Sequence, residues 1–344
     1  MQVRRFFKTE LQVYVLRATH VTSRKQNSRF NPSYMKPALA ALLLSTLSIE
    51  AAFKWVDTSG KHTDLQYNGK NIVRYVYEAM DPSDRERTYK PFHHVYQQDG
   101  KDFLTKGPGG RYTHHRGIYY GFAKCSAQNK DGKNVRVDTW HCKGGYQQHK
   151  EVLAQEATED KAWHKLAIEW RVDDGTVFAV EYRTLAFTYA DDGALVVDFS
   201  SSLKPTQDKI RVDGDPQHAG FQFRASNEVA ASTKGQTYYI RPGTGKDAQG
   251  KTKNWPGNKD MTNLEWKAQS LVVGGNRYTT LYLDSAQNPK PSFYSERDYG
   301  RFGSYFATDV SKDKGLQVNY RLNIKVGERT PEECATLSAA YQKK

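Results

Sequence analysis

The stretch Leu316-Gln-Val-Asn-Tyr-Arg-Leu-Asn-Ile-Lys-Val326 alternates apolar and polar residues along its whole length. Leu316, Val318, Tyr320, Leu322, Ile324 and Val326 fall on one side, and Gln317, Asn319, Arg321, Asn323 and Lys325 on the other. Successive side chains of an extended chain point in opposite directions, so a period of two predicts a strand with one buried and one wet face. Working outward, Ala162–Val172 repeats the pattern, with Leu166, Ile168 and Trp170 inward and Lys165, Glu169 and Arg171 outward. Val177–Tyr189 and Ala194–Ser201 follow, set apart by Asp173-Asp174-Gly175 and Asp191-Asp192-Gly193. Asp-Gly between two strand-like runs is a hairpin signal, because the turn needs positive backbone angles. Strands of this length at short spacing predict an antiparallel β-sandwich or barrel. The 22 Tyr, 15 Phe and 6 Trp suit pleated, half-buried surfaces and point the same way. A helical pattern stands at Thr330–Gln342, where Thr330 can cap, Pro331 takes the first helical position, and Glu332 and Glu333 favour the first turn. Lys234–Asp260, rich in Gly, Lys, Asn and Asp, reads largely as a long surface loop.

The first fifty residues read as processing sequence. Met35-Lys36-Pro37 leads into the apolar run Ala38–Ile49, which ends at Glu50-Ala51-Ala52. A positive start, a short apolar stretch and small closing residues make residues 35–52 a secretory signal peptide. The run falls short of the about 20 apolar residues that a bilayer-crossing helix needs. Residues 1–34 are then expected to be an over-called extension ahead of Met35, and residues 53–344 one periplasmic or secreted domain without a transmembrane segment. The net charge of +13 is concentrated at this end: residues 1–34 hold seven Lys/Arg against Glu10, and +7 remains from Phe53 onward. There the two signs are well mixed, which describes a solvated surface. No basic run is interleaved with aromatics, so nucleic acid is not an expected partner. Of the three cysteines, an odd number in an exported chain leaves at least one free; Cys125 and Cys142 are a candidate cross-strand pair.

Seven of the ten histidines lie between His93 and His164. The segment His218-Ala-Gly-Phe-Gln-Phe-Arg-Ala225, read as a strand, puts Ala219, Phe221, Phe223 and Ala225 on one face and His218, Gly220, Gln222 and Arg224 on the other. An imidazole, an amide and a guanidinium in line suit recognition of hydroxyls and carboxylates, and the glycine lets something approach the backbone. Thr105–Gly117 carries a glycine-rich turn into His114-His115-Arg116-Gly117; on a strand His114 and Arg116 share a face and His115 points away. A neutral histidine serves as base or metal ligand, and an adjacent arginine can hold an anion. In Asp138-Thr-Trp-His141, continuing to His149, Asp138 can orient a histidine and Trp140 can stack on a sugar ring. No HExxH or Cys/His zinc spacing is present, although a site built from distant strands is compatible with the sequence. In Phe293–Phe306, Glu296, Arg297, Asp298 and Arg301 crowd a glycine- and tyrosine-rich turn, where a carboxylate beside arginines stays ionised and can act as base.

The segments YKPFHHV (Tyr89–Val95), TKGPGGRYTHHRGIYYGF (Thr105–Phe122), the Asp138–His149 stretch, DPQHAGFQFR (Asp215–Arg224) and ERDYGRFGSYF (Glu296–Phe306) together resemble the PmoA-like family, an exported bacterial family of unassigned function. That family's methane oxygenase label does not suit a chain whose apolar segments are too short to span a membrane. The order of parts also resembles galactose-mutarotase-like sandwiches, which carry an early His-Gly strand, a later Asn-His strand supplying an acid, and a C-terminal glutamate base. The counterparts are His114–Gly117, His218 and Glu296, although no Asn precedes His218 and an Arg lies between His115 and Gly117.

These readings combine into an all-β chain: a large antiparallel β-sandwich of mutarotase-like supersandwich type with a short C-terminal helix. The expected activity is acid–base chemistry on carbohydrate or a sugar derivative, of epimerase, lyase or hydrolase type. His218, Glu296 and His114 are the expected catalytic residues. Arg116, Asp138, Trp140, His141, His149, Gln222, Arg224 and Arg297 are expected to bind substrate. No cofactor is expected in this reading. One alternative is a metal-dependent oxygenase or hydrolase with a divalent ion on His93, His94, His114, His115 or His141. Another is a non-catalytic glycan-binding protein relying on Trp140, Trp255 and Trp266.

Overall fold

The alternating stretches form the strands that their period predicts. Leu316–Val326 and Val177–Tyr189 have the expected bounds, and Lys161–Val172 and Leu195–Pro205 lie within a few residues of theirs. Leu166, Ile168 and Trp170 are fully buried, and both Asp-Gly turns close antiparallel hairpins. The computed structural model describes residues 52–343. The expected extension over 1–34 and the signal peptide over 35–52, except Ala52, lie outside the described residues.

Three antiparallel sheets organise the described residues. The first has eight strands, in spatial order Phe53–Thr58, His62–Tyr67, Lys70–Val76, Phe92–Val95, Ile118–Phe122, Ala219–Arg224, Arg301–Tyr305 and Phe293–Arg297. The second has nine: Gly245–Lys246, Tyr238–Arg241, Trp266–Val273, Asn276–Asp284, Leu316–Val326, Leu195–Pro205, Val177–Tyr189, Lys161–Val172 and Gly145–Ala157. The two pack face to face. Phe221 of the first meets Phe199 and Tyr320 of the second at ring-centroid distances of 4.4 and 4.8 Å, and Tyr120 meets Phe199 at 5.7 Å. One apolar cluster joins Phe122, Phe221, Phe223 and Phe302 to Trp170, Phe187, Val197 and Leu322. The expected all-β sandwich with a C-terminal helix is thus the observed architecture. The helix, Pro331–Gln342, is capped by Thr330 and Glu333 reciprocally, with Pro331 in its first turn. It lies on the far side of the nine-stranded sheet, where Cys334 packs among Tyr238, Ile240, Trp266 and Leu283.

The third sheet positions the site. It orders Thr308–Ser311, Lys209–Asp213, Lys124–Gln128 and Asn134–Val137. Val212 and Val137 are both register partners of Cys125, from its two sides. Both flanking strands run antiparallel to the middle one, so they leave it in the same direction and at the same level. The turns that follow begin at Asp215 and Asp138.

Most of Lys234–Asp260 is the expected loop and turn, but Tyr238–Arg241 within it is a buried strand of the large sheet, paired with Trp266–Val273. Two expectations are corrected here. Cys125 and Cys142 do not pair; all three cysteines are free and buried. His114 to Arg116 do not form a strand, which starts only at Ile118. A turn closes there instead, with the His115 amide donating to the Tyr112 carbonyl at 3.0 Å. Among the described residues no helix is long and apolar enough to cross a membrane.

Candidate functional site

Two tetrapeptides of the same form, Asp138-Thr-Trp-His141 and Asp215-Pro-Gln-His218, follow the paired strands of the small sheet. Each aspartate closes its own turn. Asp138 Oδ1 accepts from the amides of Trp140 and His141 at 2.8 and 2.7 Å, and Asp215 Oδ1 accepts from Gln217 at 2.9 Å. Aspartate side chains favour such turns because they imitate a backbone carbonyl. The same carboxylates hold the histidine rings. His141 Nδ1 lies 2.8 Å from Asp138 Oδ2, and His218 Nδ1 lies 3.0 Å from Asp215 Oδ2. With Nδ1 committed, Nε2 of each ring is left for other work.

His114 completes the group from the glycine-rich turn. Its ring centroid is 4.5 Å from that of His141 and 5.2 Å from that of His218, and the latter two are 4.7 Å apart. One ring nitrogen from each of the three fits within a set whose members all lie within 4.8 Å of one another. His114 Nε2 is buried and has no hydrogen-bond partner. Lys90 ties the two approaching segments together: its Nζ donates to the His114 carbonyl at 2.8 Å and also to the Trp140 carbonyl. An open pocket of about 410 Å³ leads to His114 and His141, lined also by Tyr89, Glu86 and Lys143.

Charge at the site follows from burial. Burial, aided by the charges on His141 and Lys90, pushes His114 down to about 3, so its ring is neutral at physiological pH. Burial raises the Asp138 and Asp215 carboxyls, but the imidazoles they hold outweigh it; Asp215 falls to about 2, helped by Arg301. Both stay ionised beside their histidines. Imidazoles backed by carboxylates, with one nitrogen of each ring brought close to the others, suit the donor set of a divalent metal centre.

Beside the histidines the outer face of the eight-stranded sheet carries a row of arginines. Arg301 is the register partner of Arg224 on one side and of Arg297 on the other, so the three side chains share a face. Arg224 and Arg301 are 1% and 0% exposed. Gln222, two residues from Arg224, accepts from Arg301 and donates to the Ala219 and Pro216 carbonyls, which braces the turn that carries His218. His115 stacks on His218 with centroids 5.4 Å apart.

The family model described as "Family of unknown function (DUF6807)" matches residues 62–339. The chain belongs to that family. No curated protein matches it. Among solved structures, the GalM/aldose epimerase homologue from C. elegans is similar at 7% identity and a TM-score of 0.35, over 81% of this chain and 100% of that one. None of these comparisons carries the PmoA-like name.

In this DUF6807 chain the expected residues divide into three groups. His114, His141, His218 and Asp138 come together, with Gln222, Arg224 and Arg297 alongside. Arg116 lies behind the histidine turn, 1% exposed, donating to the Glu86 carbonyl at 2.7 Å. The others are elsewhere. Trp140 is 1% exposed and packs on Phe92 and Tyr119, so it offers no ring face to a sugar. His149 meets the Tyr75 hydroxyl at 3.1 Å on a strand of the nine-stranded sheet. His93 bonds His164 at 3.0 Å in the core, and His94 lies on Thr105 and Phe103. The alternative ligand set is therefore corrected: of its five histidines only His114 and His141 join the converging group, and His218 is the third.

Glu296 sits on the opposite face. Its register partner is Phe302, which is also the partner of Phe223, so Glu296 points inward with the core. Both oxygens are held by Arg241, at 2.7 and 2.6 Å, with Lys267 at 3.7 Å and the Lys253 amide at 2.8 Å. A carboxylate so occupied is not placed to serve as base for His218. Asp215, which holds His218, is not among the expected site residues, although its four-residue pattern repeats that of Asp138.

Proposed function

We propose that His114, His141 and His218 hold a divalent metal ion and that the chain is a metal-dependent enzyme acting on carbohydrate or a sugar derivative outside the cytoplasm. One observation carries this reading: a ring nitrogen from each of three imidazoles lies within 4.8 Å of the others, while Asp138 and Asp215 hold Nδ1 of two of them. A carboxylate on the outer nitrogen orients a ligating imidazole and strengthens it as a donor. An ion held by three neutral imidazoles keeps positions open for water or substrate oxygens and acts there as a Lewis acid. The chain's own part is to fix the rings, keep His114 unprotonated through burial, and seat the substrate. Tyr112 supports a sugar as the occupant. It is 41% exposed, with its ring 6.4 Å from His114 and 5.0 Å from Tyr299, and it offers an apolar face to ring C–H groups. The positive start and short apolar run of residues 35–52 support export.

The test is metal content. Protein purified without chelator, or loaded with Zn, Mn, Co, Ni or Fe(II) and desalted, is expected to keep about one ion per chain, and His141→Ala to lose it with its fold intact. A folded wild type that retains none of these ions overturns the reading. In that event the Asp215–His218 pair supports a second one, in which the carboxylate-backed imidazole is itself the acid or base.

A further inference from the structure

The arginine row beside the histidines has no carboxylate of its own. Arg224 Nη1 donates to the Ala225 and Tyr299 carbonyls. Arg301 donates to the Pro216 carbonyl, Gln222 Oε1 and Ser295 Oγ, and Arg297 to the Glu296 carbonyl. Among the described residues none of the three forms an ion pair, whereas the buried Arg183 and Arg241 each hold a glutamate. Like charges directly across neighbouring strands destabilise a sheet. Burying guanidinium groups without a counter-charge adds to that penalty. Donors are also left over: Arg224 Nε and Nη2 and Arg301 Nε are buried without a partner, as is His115 Nδ1. Asp215, the acid whose charge Arg301 feels, is already committed to His218. Tyr299 lies over Arg224 at 4.8 Å, and the exposed Tyr112 ring lies against Tyr299. Two aromatic rings thus separate the row from solvent next to the histidine centre.

We infer that the row Arg224–Arg301–Arg297 is an anion subsite, and that the substrate is an acidic sugar whose oxyanion seats on these guanidiniums beside the histidine centre. The inference deepens the proposed carbohydrate reading and rests on it for the sugar part alone. Guanidinium forks suit carboxylate, sulfate and phosphate oxygens bidentately. A substrate carrying one of these would satisfy the leftover donors and cancel the like-charge contact in one step. Entry requires the Tyr299 and Tyr112 rings to swing aside, which places the cover at two turns, the one preceding Arg301 and the one leading to His114.

The experiment compares sugars that differ only in the group carried at C6. Glucose, glucuronate, glucose 6-phosphate and glucose 6-sulfate are titrated into the full chain by calorimetry, with and without bound metal. At least one acidic sugar is expected to bind about tenfold or more tighter than glucose, and less so as salt is raised. Which of the three wins identifies the oxyanion. Arg224→Lys keeps the charge but removes the fork, and is expected to lose about tenfold of that preference while metal content stays unchanged. Arg297→Gln, at a half-buried position, is expected to weaken it about threefold and guards against a folding failure of the first variant. Equal binding of glucose and all three acids, or binding of none, overturns the subsite. A protein that prefers the acidic sugar yet holds no metal would leave the subsite standing and remove the metal centre.

Discussion

On the inner face of one strand Glu296 meets Arg241 and Lys267 across the sandwich; one residue later, on the outer face, Arg297 stands beside Arg301 and Arg224. Inside, the carboxylate takes two guanidinium bonds and lies near an ammonium, and Asp247 takes the remaining arm of Arg241. Outside, three guanidiniums and three converging imidazoles are accompanied by two aspartates, both bound to imidazole. The inner set clasps the two large sheets together and is complete without a ligand. The outer set is complete only with one. Buried charge by itself therefore does not mark a working site in this fold; the informative feature is charge that the protein does not neutralise.

The largest expected effect falls on the inner set. Glu296→Gln leaves Lys267 without its counter-ion and Arg241 with Asp247 alone, and breaking a buried pair by removing one partner costs about 3–5 kcal/mol. Chemical denaturation should show that loss, while the folded fraction still takes up metal. Unchanged stability with abolished turnover would reverse the roles assigned to the two faces.

Acid should act next, through imidazoles outside the centre. Burial pushes His94 and His164 down to about 3, so they refuse the proton that the unfolded chain accepts below about pH 6.5. The unfolded state then binds more protons, and stability falls as pH drops from about 6.5 towards 3, by up to about 1.4 kcal/mol per pH unit for each ring. Denaturation midpoints between pH 7.5 and 5 measure the slope, and His164→Gln should flatten it. A flat profile in the wild type would mean that these rings are solvated.

A smaller effect sharpens the outer set. Asp138→Asn and Asp215→Asn should each weaken metal binding about 10–100-fold, as loss of an orienting carboxylate does, measured by competition with a chromophoric chelator. If Asp215→Asn proved as severe as His218→Ala, the aspartate would be a ligand itself. The smallest change in stability is expected at Tyr112, whose φ of +55° lies in the left-handed region. Tyr112→Gly should leave stability unchanged or raise it by up to about 1 kcal/mol, yet weaken sugar binding in the same titrations. Undiminished binding would remove the ring from the substrate's path.

Much of this arrangement was legible from period alone. The two-residue alternation of Leu316–Val326 is its own evidence, and Gln222 and Arg224 do share the outer face of their strand, although His218 lies in the turn just before it. Glu296 was not legible, because its face depends on which residue of the neighbouring strand it opposes, and a shift of one residue reverses the answer. The adjacent histidines His93 and His94 stand among the alternative ligands, but a strand sends neighbours to opposite faces, one to His164 and the other to Thr105. Gly220 was read as room for a ligand, yet a Cβ there would lie 2.1 Å from the Ser304 carbonyl: what comes close is the next strand. The strand Tyr238–Arg241 was hidden by the polar, glycine-rich composition around it. The convergence of His114, His141 and His218 depends on the small sheet setting Val137 and Val212 at one level, a pairing that no local pattern announces.

The two Asp-x-x-His turns carry a consequence for transplantation. Each sets its imidazole from within four residues, through a carboxylate that is bound at once to its own backbone and to the ring three positions later. The larger fold is needed to bring two such cassettes and one further histidine to the same spot. Any scaffold with two strands leaving a common neighbour at equal height could accept them, so the centre is a portable part whose orientation travels with its sequence.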